Sequence, residues 1–285
     1  MIEQVGVVGC GLMGSGIAEV CARAGLDVLV HEVDATAAEA GRERMVRSLD
    51  RAVTANKLSE AARDETLSRL SFTTDLADMA ERDLVVEAVI ENEDAKTDVF
   101  RTLDKVMTRP QAILASNTSS IPIMKLAMVT SRPANVVGMH FFNPVPVMNL
   151  VEVVTSLLTS EETRSSVADF SQNKLAKRVI LSKDRAGFIV NALLVPYLLS
   201  AIRMLESGFA TAADIDAGMV EGCNHPMGPL ALADLIGLDT TKAVAESLYD
   251  EFREQVYAPP PLLARMCEAG LLGRKAGRGF YEYKR

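Results

Sequence analysis

Over its first half the chain alternates short β-branched runs with longer helical patterns, the arrangement that most restricts what it can fold into. The runs are Val5 to Val8, Val28 to Val30, Leu84 to Val86, Ile113 to Leu114, and Val136 to Val137. Strands rejoined through helices become parallel neighbours, so the pattern predicts βαβ units in an α/β sheet. Between the second run and a strand-like run near Ser71 lies a long stretch rich in Ala, Arg and Glu, broken near Asn56 to Ser59. That is too long for a plain crossover and reads as a two-helix excursion. After His140 come Phe-Phe-Asn-Pro-Val-Pro and then the apolar run Leu150 to Val154, which predicts a hairpin around a proline-rich turn. Beyond Lys183 no run alternates, and helical segments follow between Gly208, His225 to Pro229, Gly237 and Pro259 to Pro261. The expected organisation is therefore an α/β domain over 1–185 and an all-α domain over 186–285.

The first strand ends in Gly9-Cys10-Gly11-Leu12-Met13-Gly14, and Ser15-Gly16-Ile17-Ala18 opens a helix. In a dinucleotide-binding turn the first glycine permits the bend and the second admits a pyrophosphate against the backbone. The third lets helix and sheet pack closely. Free N–H groups at the helix start then face the phosphates. Gly9, Gly11 and Gly14, with Leu12 and Met13 between them, are candidate cofactor-binding residues. Glu32, at the end of the second strand, is placed to accept the adenosine ribose hydroxyls, and its charge would repel a 2′-phosphate. NAD is expected over NADP. His31 reads as a partly exposed neighbour, and Cys10 as a small space-filling residue.

Composition narrows the remaining classes. With 30 basic and 38 acidic residues the formal charge is −8, so the global field repels polyanions and no nucleic-acid partner is expected. The four cysteines follow no paired or metal-binding spacing, which suits free thiols in a reducing cytoplasm. The first residues run straight into a strand with no secretory pattern. The longest apolar stretch, Phe188 to Ile202, is interrupted by Asn191 and Pro196; it reads as a buried helix and not a membrane span.

Polar clusters fall where strands should end: Glu87 to Lys96, Ser116 to Ser120, and His140 to Asn143. Open α/β sheets bind ligands at that edge. Hydride transfer from an alcohol needs a group that takes the hydroxyl proton near neutral pH, and His140 is suited to it. Glu152, a charge inside an apolar run, is the candidate to orient the ring and stabilise the imidazolium. Without further support a structural histidine and an edge-strand carboxylate explain the pair equally well. The histidines at 31, 140 and 225 lie far apart and suggest no metal site.

The strings ASNTSSIPI, GMHFFNPVPVMNLVEVV, DRAGFIVNALLVPYLLSAI, HPMGPL, DLIGLDTT and GRGFYEY together resemble the 3-hydroxyacyl-CoA dehydrogenase family from end to end. The resemblance implies a Rossmann-like NAD domain with a helical hairpin insertion, followed by a helical domain that mediates homodimerisation. It implies an acyl-CoA substrate, 3-hydroxybutyryl-CoA above all, and chemistry of the fatty-acid β-oxidation kind. Carried over, the catalytic histidine falls on His140, its orienting glutamate on Glu152, and the substrate-oxygen contacts on Ser119 and Asn191. Cofactor contacts fall on the glycine turn, Glu32, Glu91, Lys96, Asn117 and Asn143. Glu91 and Lys96 also read as ordinary charges of a first helical turn, the lysine solvated. Arg42, Arg44, Arg47, Arg51 and Lys57 are available for the CoA phosphates, and none is singled out. The rival activities are a dehydrogenase of a free 3-hydroxy acid or sugar acid, and a dinucleotide-binding protein without turnover.

Overall fold

The computed structural model describes residues 2–283. The β-branched runs become β1 (Gln4–Val8), β2 (Asp27–His31), β3 (Leu70–Thr73), β4 (Leu84–Glu87), β5 (Ile113–Ser116) and β6 (Val136–Phe141), followed by β7 (Leu150–Thr155) and β8 (Arg178–Lys183). They form one sheet in the order β3-β2-β1-β4-β5-β6-β7-β8. All neighbours run parallel except β6 and β7. Val5, Val7, Val28, Val30, Leu84 and Val86 are buried, as strands covered on both faces require.

Between β1 and β2 runs α1 (Leu12–Arg23), and α2 (Ala35–Thr54) and α3 (Glu60–Ser68) form the helical hairpin between β2 and β3. The Asp34 carboxylate accepts from the Ala37 N–H and the Ser59 hydroxyl from the Ala62 N–H. Each satisfies a donor that the helix start leaves open. The connections after β4, β5 and β7 carry α4 (Glu93–Val106), α5 (Ile123–Met128) and α6 (Glu161–Asp169) respectively. Strand β8 is not among the runs that the sequence pattern marks as strands. Its sequence RVILSK is charged at both ends and only partly buried, because it forms the sheet edge, where an apolar alternation is not demanded.

A second compact unit begins at Ala186 and contains α7 (Val190–Glu206), α8 (Ala212–Cys223), α9 (Pro229–Ile236), α10 (Leu238–Phe252) and α11 (Pro261–Glu268). Leu198, Leu199, Ile202, Leu230, Leu238, Leu248 and Leu263 fill its core. The expectation that the Phe188 to Ile202 stretch is a buried helix is corrected within this unit: Leu193 is 72% exposed and Ile189 38%. One face of α7 is covered and another is not.

The GRGFYEY string has a structural role. The buried Asp234 carboxylate accepts from the Phe280 and Tyr281 N–H groups and the Tyr283 hydroxyl. Asp216 accepts from the Leu230 and Ala231 N–H groups at the start of α9 and from the Tyr281 hydroxyl. No helix among the described residues is long and apolar enough to cross a membrane.

Candidate active site

The glycines of the first turn divide by what the protein itself demands. Gly9 has φ +91°, and a Cβ there would come within 2.8 Å of the Ala88 carbonyl oxygen. A Cβ at Gly14 would overlap the Gly9 carbonyl oxygen, whereas one at Gly11 would meet nothing within 4 Å. Gly9 and Gly14 are thus fixed by packing. Gly11 keeps an open approach to the backbone at the start of α1, which fits a group laid against the turn. Leu12 is exposed and Met13 half-buried on the first turn of that helix.

Glu32 follows β2 and closes the turn from the other side. Its Oε1 accepts from the Cys10 N–H at 2.5 Å and its Oε2 from the Val33 N–H at 3.1 Å. A carboxylate has about four lone-pair sites, so capacity remains on both oxygens for ligand hydroxyls. Cys10 is buried against Gly41 of α2, where any Cβ would overlap its sulfur. Burial, reinforced by the Glu32 charge, pushes its thiol up to about 12, leaving an inert packing group. The half-buried His31 is held below the usual imidazole range by burial, which outweighs Glu32.

The antiparallel register places His140 directly opposite Glu152. Opposed residues of such a ladder project their side chains to one face. Here Nδ1 of His140 lies 2.6 Å from Oε2 of Glu152, with Glu152 fully buried. A buried carboxylate must be hydrogen-bonded or paired, so the proton of the neutral ring belongs on Nδ1, which makes Nε2 the ring's basic nitrogen. Phe142 packs on the imidazole at 4.6 Å between centroids. Asn117 Oδ1 accepts from the Phe141 N–H at 2.9 Å, tying the end of β5 to that of β6. Asn143 is exposed in the loop that follows.

A buried ion network adjoins the ends of β4 and β5. Lys96, 1% exposed, places Nζ 2.7 Å from Oε1 of the fully buried Glu87 and 3.2 Å from Oε2 of Glu91. The reading of Lys96 as a solvated first-turn charge is therefore corrected. Glu87 also accepts from the Val89 N–H and, at 2.6 Å, from the Ser116 hydroxyl. Oε1 of Glu91 accepts from the Thr118 and Ser120 hydroxyls and the Ser119 and Ser120 N–H groups. Burial acts to raise the Glu91 pKa, but Lys96 and these donors outweigh it and hold the carboxyl below its usual range. Glu91, Lys96 and Ser119 are thus brought together.

Glu87, Ser116, Thr118 and Ser120 lie within the polar clusters that the sequence marks at the strand ends, but the sequence assigns none of them a role of its own. Glu87 carried a usable signal, a carboxylate ending the apolar run Leu84 to Val86, much as Glu152 interrupts its own run. Asn191 lies in the first turn of α7 in the second unit. On α2, Arg47 pairs with Glu43 and Arg44 caps the Ala40 carbonyl, which is the behaviour of a solvated helix face.

Known proteins give this geometry a family. The family model for the 3-hydroxyacyl-CoA dehydrogenase NAD binding domain matches residues 4–185, and that for the C-terminal domain of the same family matches residues 187–283. A 3-hydroxybutyryl-CoA dehydrogenase of Mycobacterium tuberculosis is 58% identical over 282 residues, covering 99% of each chain. The crystal structure of FadB2 from M. tuberculosis superposes with TM-score 0.98 at 57% identity, covering 99% of each chain. That of (S)-3-hydroxybutyryl-CoA dehydrogenase PaaH1 from Ralstonia eutropha gives 0.95 at 46% identity, covering 100% of each. The chain belongs to the 3-hydroxyacyl-CoA dehydrogenase family, and its first unit is that family's NAD-binding domain.

Proposed function

We propose that the protein interconverts L-3-hydroxyacyl-CoA and 3-ketoacyl-CoA, with 3-hydroxybutyryl-CoA and acetoacetyl-CoA as its substrate pair. The observation that carries this reading is the buried His140–Glu152 pair near the strand ends of a sheet whose first turn is shaped for a dinucleotide. Relatives named 3-hydroxybutyryl-CoA dehydrogenase, 58% identical over nearly the whole chain, support the substrate. The four cysteines are free thiols, which suits the reducing cytoplasm we assign to it.

NAD supplies the hydride acceptor for C3 of the hydroxyacyl group. The chain supplies the rest. Nε2 of His140 takes the 3-hydroxyl proton as C3 loses its hydride, so the secondary alcohol becomes a ketone. Glu152, accepting from Nδ1, stabilises the imidazolium, which then returns its proton to solvent. Ser119 and Asn191 donate to the 3-oxygen, whose negative charge grows during ketone reduction. Gly9, Gly11 and Gly14 present the backbone of α1 to the pyrophosphate, Glu32 holds the adenosine ribose, and Asn117 and Asn143 order the nicotinamide side.

Steady-state oxidation of NADH against acyl-CoA length tests the reading. Turnover is expected with acetoacetyl-CoA and none with free 3-keto acids or sugar acids. Activity on free acids alone would favour the rival dehydrogenase, and no turnover with either would favour a non-catalytic dinucleotide binder.

The second unit is also assigned to homodimerisation. Leu193, Met204 and Phe209 are exposed apolar side chains on or just after α7, more than a lone surface helix carries. Sedimentation velocity at micromolar concentration is expected to give twice the chain mass. A monomer there would refute the assignment.

A further inference from the structure

The loop between the two strands of the dyad is held by a buried ammonium that the reaction as read above does not use. Lys177 is 6% exposed, and its Nζ donates to the carbonyls of Val145 and Met148, both at 2.7 Å. Within the loop the Val147 and Met148 N–H groups both turn back to the Pro144 carbonyl at 2.9 Å. On the far side the loop lies against the dinucleotide helix, since a Cβ at Gly16 would stand 2.8 Å from the Val145 Cβ. Lys177 is itself fixed by the sheet: the next residue, Arg178, begins β8, its N–H donating to the Asn149 carbonyl, and pairs with Leu150 of β7.

A cation is a costly way to fill space in a protein interior, where an apolar side chain of similar length would do so without desolvation. Burial and the Arg23 charge pull the Lys177 pKa below the usual lysine range, against the opposing pull of Glu19. The cost is offset by two charge-assisted hydrogen bonds to carbonyls that would otherwise lack those partners. Both carbonyls belong to the segment that joins His140 to Glu152 and carries Asn143.

We propose that Lys177 is a positioning residue, bracing the Asn143–Met148 loop from below so that the dyad hairpin and α1 keep one spacing; its consequence for turnover rests on the dehydrogenase reading. The lysine touches neither reactant. It acts through the loop.

The test is Lys177→Met in the full-length protein, read by amide hydrogen exchange and by kinetics with NADH deuterated at the nicotinamide C4. Exchange at Val147 and Met148 is expected to rise at least about tenfold. Small displacements of reacting groups cost up to about 10²-fold, so kcat with acetoacetyl-CoA should fall by about 10- to 100-fold. The deuterium isotope effect on kcat should rise as hydride transfer limits the rate, with KM for acetoacetyl-CoA little changed. A merely structural lysine would lower Tm and leave the isotope effect and kcat as they were, and that result overturns the proposal. So does unchanged loop exchange. Gly16→Ala, which pushes the loop from the α1 side with the lysine intact, should give the same signature and decides the matter if Lys177→Met does not fold. If the wild type fails to turn over acetoacetyl-CoA, the dehydrogenase reading fails, and the brace is then judged on exchange alone.

Discussion

Replacing His140 by alanine is expected to lower kcat by about 10²–10⁴-fold, the usual contribution of a positioned acid–base group. Affinity for NADH should change little, because the imidazole acts on the transferred proton and not on the dinucleotide. The geometry sets a companion expectation for Glu152→Gln. The glutamine nearly preserves size and can still accept from Nδ1, so the ring orientation survives while the charge that stabilises the imidazolium is lost. Turnover should fall, by less than in His140→Ala. Oxidation needs the neutral ring, which takes the substrate proton. Ketone reduction needs the protonated ring, which supplies it, so both variants should lose activity in both directions. Measuring kcat/KM in both directions, for wild type and both variants, checks all of this. Near wild-type turnover in His140→Ala, or a loss that circular dichroism traces to misfolding, would remove His140 from the mechanism.

The sequence offers His140 and Glu152 as a candidate pair, against an equally good structural reading, because both of its signals are local. A histidine ends one apolar run, and a carboxylate interrupts the next after a proline-rich turn. What the sequence left open was the register, and the structure supplies it by pairing residue 140 with 152. The glycine turn was legible for the same reason, since its spacing answers to one bend. The difference between Gly14, required by the Gly9 carbonyl, and Gly11, required by nothing in the protein, emerges only in three dimensions.

Other features depend on what comes to lie beside what. Lys174, Lys177 and Arg178 form one basic stretch, and nothing in it says which cation is buried under a loop more than twenty-five residues upstream. Lys96 is similar: its two carboxylate partners come from the end of β4 and from the loop leading into α4. Strand β8 escaped for a third reason. Edge strands need little apolar alternation, so their pattern is weak where their pairing is firm.

The preference for NAD over NADP is expected to be large and to reside in Glu32. In wild type, kcat/KM with NADH should exceed that with NADPH by about 10²-fold or more. Charge-assisted hydrogen bonds contribute about 1.5–3 kcal/mol each, a tenfold change takes about 1.4 kcal/mol, and a 2′-phosphate would both lose such bonds and meet a like charge. Glu32 also supports the glycine turn itself, accepting from the Cys10 N–H at 2.5 Å and the Val33 N–H at 3.1 Å. The two duties can be separated by substitution. Glu32→Gln keeps one acceptor oxygen for the turn and replaces the other with a donor that a phosphate can use. Its discrimination should narrow to about tenfold, the loss of one charge-assisted bond's worth of preference. Glu32→Ala removes both turn contacts as well, so KM for NADH should rise further than in Glu32→Gln while discrimination narrows similarly. Steady-state kinetics with both cofactors on the three proteins decides it. Comparable efficiency with NADPH in the wild type would refute the assignment, and a Glu32→Gln variant that still rejected NADPH would move the source of the preference away from this carboxylate.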